Sequence, residues 1–293
     1  MAGGGGNYRL HRPPACQRAR AGRALACRFE PARLVTDRAP DVIQTDLPAS
    51  WAALRRHTPA RIAIGRAGSG LPTQAYLDFQ AAHARARDAV HAALDLDAMM
   101  HRIAACGRPV ICVASAAADR DAYLRKPDLG RRLSAESKAR LSEPMLAPDV
   151  AIVIGDGLSS VAVERNAAPV LQALVPRLES AGLRPAPIVI AAQARVALAD
   201  EIAELLQAKV SVILIGERPG LSAADSLGIY LTFAPHIGRL DSERNCISNI
   251  RAGGMSPADA AAEAAELISA MMVHQASGVL LASRMRGLQQ IAT

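Results

Sequence analysis

The chain is short of aromatic residues, with one Trp, four Tyr and three Phe among 293 residues. A base-stacking nucleic-acid platform needs aromatic faces in series, so that class is excluded. Cysteine is scarce too. Cys16, Cys27, Cys106, Cys112 and Cys246 are odd in number and scattered, without C-x-x-C spacing. That pattern argues against a disulfide framework and a structural zinc site, and for a reducing compartment. Long apolar runs are also missing: the longest, residues 187–192 and 210–215, stop far short of the roughly 18–20 residues that span a bilayer. Finally, the sequence has no H-E-x-x-H, G-x-x-x-x-G-K-[ST] or G-x-S-x-G, so the common hydrolase and NTPase signatures are lacking.

What is present is a body rich enough in apolar residues, 51% against 21% charged, to bury a sizeable core. The net charge of +7 is uneven. Eight arginines face only Glu30 and Asp37 within residues 1–38, and the remainder is close to neutral. This Gly-, Pro- and Arg-rich opening has no apolar period and cannot bury enough surface to offset ordering entropy, so it reads as a disordered, solvated extension. A near-neutral body has no broad phosphate-tracking surface.

Residues 74–95 carry a helical stripe of Phe79, Ala82, Ala86, Val90 and Leu94, with His83 on its edge as a packed residue. The period then changes. Short β-branched runs at Val110–Ala114, 150–154, Ile188–Ala192 and 210–215 alternate with helical segments at 119–142, at 159–180 (broken by Pro169 and Pro176) and at 196–208. Ser256, Pro257 and Asp259 open the clearest helix, and residues 278–282 can close the sheet as a fifth strand. The expected fold is α/β: a Rossmann-like, mostly parallel sheet with helices on both faces. A disordered basic tail (1–45), a small helical domain (46–108) and the α/β domain (109–293) divide the chain.

In open parallel sheets ligands bind beyond the carboxyl ends of the strands. Those ends read Gly155-Asp156-Gly157, Gln193-Ala194-Arg195-Val196 and Gly216-Glu217-Arg218-Pro219-Gly220. The first is a weak dinucleotide signal, because Ser160 replaces the third glycine and Gln193 stands where a ribose-binding acid belongs. A nicotinamide oxidoreductase is therefore the weaker alternative. Glu217 can accept hydrogen bonds from ligand amides or hydroxyls, or simply pair with Arg218 or Arg195. Residues 234–254 read as a long loop of the kind that is usually functional, with Cys246 as a small lining residue rather than a nucleophile.

Six stretches together resemble one family, the small (light) subunit of ethanolamine ammonia-lyase. They are HTPARIAIGRAGSGLPT from His57, FQAAHARARDAVH from Phe79, YLRKPDLGRRL from Tyr123, IVIGDGLSS from Ile152, LIGERPGLSAADSLGIY from Leu214 and NCISNIRAGGMSP from Asn245. The resemblance implies an adenosylcobalamin-dependent enzyme that converts ethanolamine to acetaldehyde and ammonia, with the hard chemistry carried by the cofactor. It implies a hetero-oligomer in which a (β/α)8 large subunit holds the substrate, and a small subunit, inactive alone, that covers the corrinoid at the boundary. It assigns the corrinoid contacts to Val196, Glu217 and Cys246, and no catalytic residue and no metal ligand to this chain. None of the seven histidines lies in a D-x-H-x-x-G pattern, so a protein ligand in place of the cofactor's own lower base is not expected. The cytoplasm is the expected location, with a bacterial microcompartment as the other possibility. A purely structural partner without cofactor contact is the second functional reading.

Overall fold

A computed structural model describes residues 49–142 and 147–291, and the basic tail expected over residues 1–45 lies outside them. Helices α1 (Ala49–Leu54), α2 (Thr73–His91) and α3 (Leu96–Ile103) precede strand β1 (Val110–Ala114). Then follow α4 (Arg120–Arg125), α5 (Ala135–Leu141), β2 (Val150–Gly155), α6 (Ser160–Ser180), β3 (Ile188–Ala192), α7 (Leu198–Leu205) and β4 (Val210–Gly216). The chain ends with β5 (Leu227–Phe233), β6 (Arg244–Ile250), α8 (Pro257–His274) and α9 (Gly278–Ile291).

The strands form one six-stranded mixed sheet in the order β1-β3-β2-β4-β5-β6. β1 to β4 run parallel because helical crossovers return the chain to the same end each time; β4, β5 and β6 are antiparallel because only short connections join them. Every residue of β2 and β4 is buried, which is why both read as continuous apolar runs rather than as alternation.

Two hydrophobic layers sandwich the sheet. On one side Ile152, Ile154, Val212 and Leu214 pack with Leu171 and Leu174 of α6, Ile268 of α8, and Met99 and Ile103 of α3. On the other, Val153, Val189, Ile213 and Ile215 pack with Leu198 and Ile202 of α7. Burying each such side chain contributes about 1.5–3 kcal/mol. No single helix among the described residues is long and apolar enough to cross a membrane.

Several sequence expectations need correction, among them His83, which is exposed rather than packed. Residues 278–282 are not a strand but the first turn of α9: Val279 and Leu280 are exposed while Leu281 is buried, a helical rather than an alternating pattern. Its start is pinned to β6 by the Gly278 amide, which donates to Asn245 Oδ1 (2.6 Å). Residues 234–254 are not a loop throughout, since they contain β6, an edge strand in which polar residues fill the exposed positions. α6 runs unbroken, because Pro169 and Pro176 both sit on its exposed side, where water can serve the carbonyls that lose their partners. Phe79 lies outside the buried stripe of α2, which consists of Ala82, Ala86 and Ala89.

Candidate functional site

Backbone fills the turn after β2. Gly157 has φ of 57°, and a Cβ there would lie 2.2 Å from the Gly216 carbonyl oxygen; a Cβ on Gly216 would lie 2.0 Å from that of Ser159. The Leu158 amide donates to the Gly216 carbonyl at 2.9 Å. The turn that leaves β2 thus packs backbone to backbone against the end of β4, and the space a dinucleotide's pyrophosphate would occupy is taken. The buried Asp156 carboxylate accepts from the Ala194 amide (2.8 Å) and the Gln193 amide (3.0 Å) and pairs with Arg120 (3.2 Å). Burial raises its pKa, and the Ala194 amide and Arg120 oppose the rise. Asp156 therefore fixes the β3–α7 turn, a job done entirely within the protein.

That turn presents Arg195 and Val196. The Arg195 amide donates to the Gly130 carbonyl (2.8 Å), its guanidinium lies 4.2 Å from the Tyr123 ring centroid, and one of its terminal nitrogens donates to the Tyr123 carbonyl (3.2 Å). Gly130 permits this closeness, since a Cβ there would meet Arg195 Cγ at 2.8 Å. Arg195 Nε and Gln193 Oε1 are buried without a hydrogen-bond partner.

Glu217 leaves the end of β4 with its amide bonded to the Ser226 carbonyl (3.0 Å). Its Oε2 accepts from the Ser226 hydroxyl (2.5 Å) and has the Asn249 amide at 3.5 Å. Glu217 forms no ion pair among the described residues, with Arg218, Arg195 or any other cation. The pairing that competed with a ligand role is thus not made, and Oε1 accepts no hydrogen bond from a described residue.

Val196 and Glu217 line one cleft of about 410 Å³, together with Tyr123, Leu158, Arg195, Arg218 and Tyr230. Cys246 does not line it. It lies directly across from Tyr230 on the β5–β6 pair, one residue removed from the cleft wall, and is exposed. Partial desolvation raises the Cys246 thiol, with the Tyr230 hydroxyl pulling it down and the Glu217 carboxylate pushing it up. Burial likewise raises the Tyr230 hydroxyl, reinforced by Cys246 and Glu217. Leu227, Ile229 and Leu231 of β5 face the layer under α8, so Gly228 and Tyr230 point the other way. On that side α7 covers β2 and β4 and reaches the hairpin at its base, through the Asp200–Arg244 pair, so Tyr230 packs partly against the α7 layer while Cys246 stays exposed.

Sequence reasoning missed Tyr123 and Tyr230. The available signal was their rarity in a chain with four tyrosines and, for Tyr230, its place in the motif that also holds Glu217. A hollow of about 500 Å³ at the opposite end of the sheet is bordered by Arg108 and Glu179, which neutralise one another at 2.5 Å. No cluster of His, Cys, Asp and Glu able to hold a metal ion occurs among the described residues.

Residues 48–282 match the protein family described as ethanolamine ammonia-lyase light chain (EutC). The ethanolamine ammonia-lyase small subunit of Pseudomonas syringae pv. tomato is 54% identical over 235 residues, covering 79% of this chain and 82% of its own. Those of Ralstonia nicotianae and Azotobacter vinelandii are 49% and 51% identical over 251 residues, covering 84% of this chain and 93% and 91% of theirs.

Proposed function

Because the chain belongs to the ethanolamine ammonia-lyase light-chain family, as the small subunit of that carbon–nitrogen lyase, we propose that it supplies one wall of an adenosylcobalamin site completed by a large subunit. The substrate of the complex is ethanolamine and the products are acetaldehyde and ammonia. The observation that carries this reading is the Glu217 carboxylate, held by Ser226 at one oxygen, paired with no cation among the described residues, and lining a cleft with Tyr230 beside the exposed Cys246.

The residues fit a corrinoid. Its rim bears amide groups, which suit a carboxylate acceptor such as Glu217 at the cleft wall. Its broad apolar body suits the Tyr230 ring, Val196 and the small Cys246 thiol. When bound, adenosylcobalamin supplies the radical chemistry by which hydrogen moves and ammonia leaves. This chain's residues bind, orient and exclude water. Glu217 holds an amide edge of the ligand, Val196 and Tyr230 exclude solvent from its flank, and Cys246 fits beside the ring as a neutral thiol. No acid, base or nucleophile is assigned here, so the chain alone is inactive.

The test is Glu217→Gln in the assembled two-subunit enzyme, which keeps shape and removes charge. Corrinoid affinity followed by absorption falls by about 1.5–3 kcal/mol, roughly ten- to a hundredfold. An unchanged affinity with intact assembly would refute the contact and leave the purely structural role.

A further inference from the structure

The wall formed by Arg195 and Val196 has a second hollow on its other side, of about 430 Å³. Five guanidinium groups border it, from Arg131, Arg132, Arg195, Arg239 and Arg244, against the single carboxylate of Asp241. Two of the five are committed elsewhere. Arg239 pairs with Glu243, and Arg244 pairs with buried Asp200 (2.6 Å) and with Asp241 (2.7 Å).

Arg131, Arg132 and Arg195 make no ion pair with any carboxylate among the described residues. The main chain under Arg131 and Arg132, and the side chain of Arg195, are held in place. The Arg131 amide donates to the Asp128 carbonyl (3.1 Å), the Arg132 carbonyl accepts from the Ala116 amide (2.8 Å), and Arg195 is stacked on Tyr123. Arg195 Nε and Arg244 Nε are both buried without an acceptor. Like charges held together repel, and a buried donor without a partner is destabilising. An incoming anion relieves the repulsion.

The geometry favours a tetrahedral oxyanion over a carboxylate. One arginine fork satisfies a carboxylate, whereas several guanidiniums around one hollow suit a group with acceptor oxygens pointing in different directions. The adjoining cleft is the one read above as a corrinoid wall, and adenosylcobalamin carries one anionic group, the phosphodiester of its nucleotide tail. We propose that Arg131, Arg132 and Arg195 form an oxyanion subsite that receives this phosphodiester; the proposal rests on the reading of the Glu217 cleft. The subsite gives the small subunit a hold on the tail that is independent of its hold on the ring.

The experiment compares two corrinoids on the assembled two-subunit enzyme: adenosylcobalamin, and adenosylcobinamide, which lacks the whole nucleotide tail. Affinity is read by absorption titration and assembly by sedimentation. For the double variant Arg131→Ala/Arg132→Ala, adenosylcobalamin binding weakens roughly ten- to a hundredfold, while adenosylcobinamide binding stays within about twofold. Arg131→Lys/Arg132→Lys recovers part of the loss. Inorganic phosphate competes with adenosylcobalamin and leaves adenosylcobinamide affinity unchanged.

Equal losses for both corrinoids, no loss for either, or disassembly of the complex would each overturn the subsite, the last by making these arginines contacts of the large subunit. Phosphate that binds without competing would overturn it in favour of a free anion. Glu217→Gln separates the two proposals. If it weakens both corrinoids while the arginine variants weaken neither, only the subsite fails; if it weakens neither, the cleft reading fails with it.

Discussion

The Tyr123 hydroxyl donates to the Ala194 carbonyl at 3.0 Å, and the guanidinium of the next residue, Arg195, rests 4.2 Å from the same ring. One fully buried aromatic side chain therefore fixes both the backbone and the side chain of the turn that presents Arg195 and Val196. Burial raises the hydroxyl's pKa, so it remains a donor throughout the physiological range.

Tyr123→Phe keeps the ring and removes the donor, leaving the Ala194 carbonyl without that partner. Stability should fall by about 1–3 kcal/mol, read from denaturant unfolding, with corrinoid affinity little changed. Tyr123→Leu also removes the cation–π platform, worth about 0.5–2 kcal/mol, and should weaken corrinoid binding as Arg195 loses its seat. Equal corrinoid affinity in the Phe and Leu variants would show that the ring does not position Arg195.

Gly216→Ala tests the contact between the turn after β2 and the end of β4. Its Cβ would fall 2.0 Å from the Ser159 carbonyl oxygen, a backbone atom that cannot rotate away. The turn between β2 and α6 must move off the end of β4, at a cost of about 1–3 kcal/mol or more. Gly220→Ala is the control, since its Cβ would meet nothing nearer than 3.7 Å. Similar melting temperatures for the two variants would contradict this close packing.

Asp149 supplies a pH dependence. Burial alone would raise its carboxyl, but hydrogen bonds from Lys209 (2.9 Å), from the Arg184 amide (3.0 Å) and from the Arg184 guanidinium (3.3 Å) outweigh it and hold the native value below the ordinary one. A depressed native pKa gives stability that is fully present above the unfolded value, near 3.9, and is lost as pH falls through the native value. Lys209 and Arg184 are each more than half exposed, so solvent screening keeps the contribution to about 1 kcal/mol. Asp149→Asn should be less stable than the parent at neutral pH and match it well below pH ~4. A gap that persists in acid would assign the effect to packing rather than to charge.

Cys246 is exposed yet has a raised thiol pKa. Alkylation should therefore be slow at neutral pH and accelerate only above the ordinary cysteine value of ~8.5. Peptide-level mass spectrometry resolves it from the other cysteines, and bound corrinoid should protect it. Fast labelling at neutral pH, or labelling indifferent to corrinoid in the assembled enzyme, would argue against its place beside the ring.

The parallel half of the fold was legible in the sequence because its strands are buried on both faces. Val110–Ala114 and Ile188–Ala192 were bounded as they occur, and β2 and β4 to within one residue. The antiparallel half was not. β5 follows a polar connection and was passed over, and β6 spells Arg-Asn-Cys-Ile-Ser-Asn-Ile, where only Arg244, Ile247 and Ile250 are buried and a bulge interrupts the pairing. Local period cannot show that such a segment is held by its neighbour. Residues 278–282 failed in the opposite sense, since a short apolar run fits strand and helix equally. At the site, Glu217 and Val196 both follow strand ends, as the sequence placed them, and line one cleft there. What no spacing revealed is that Glu217 avoids both nearby arginines and that Tyr123 carries Arg195.

The glycine contact at the ends of β2 and β4 also acts as a gauge of ligand shape. A sheet of this parallel topology ordinarily admits a slender chain of phosphates end-on between two strand tips, and here that slot is shut by Gly157 and Gly216 lying backbone to backbone. Among the described residues, the cleft that Glu217 shares with Tyr230 opens to the side of that seam, toward the β5–β6 hairpin and the exposed Cys246. The seam closed to a slender ligand thus lies a single strand away from the strand pair beside which a broader one would rest.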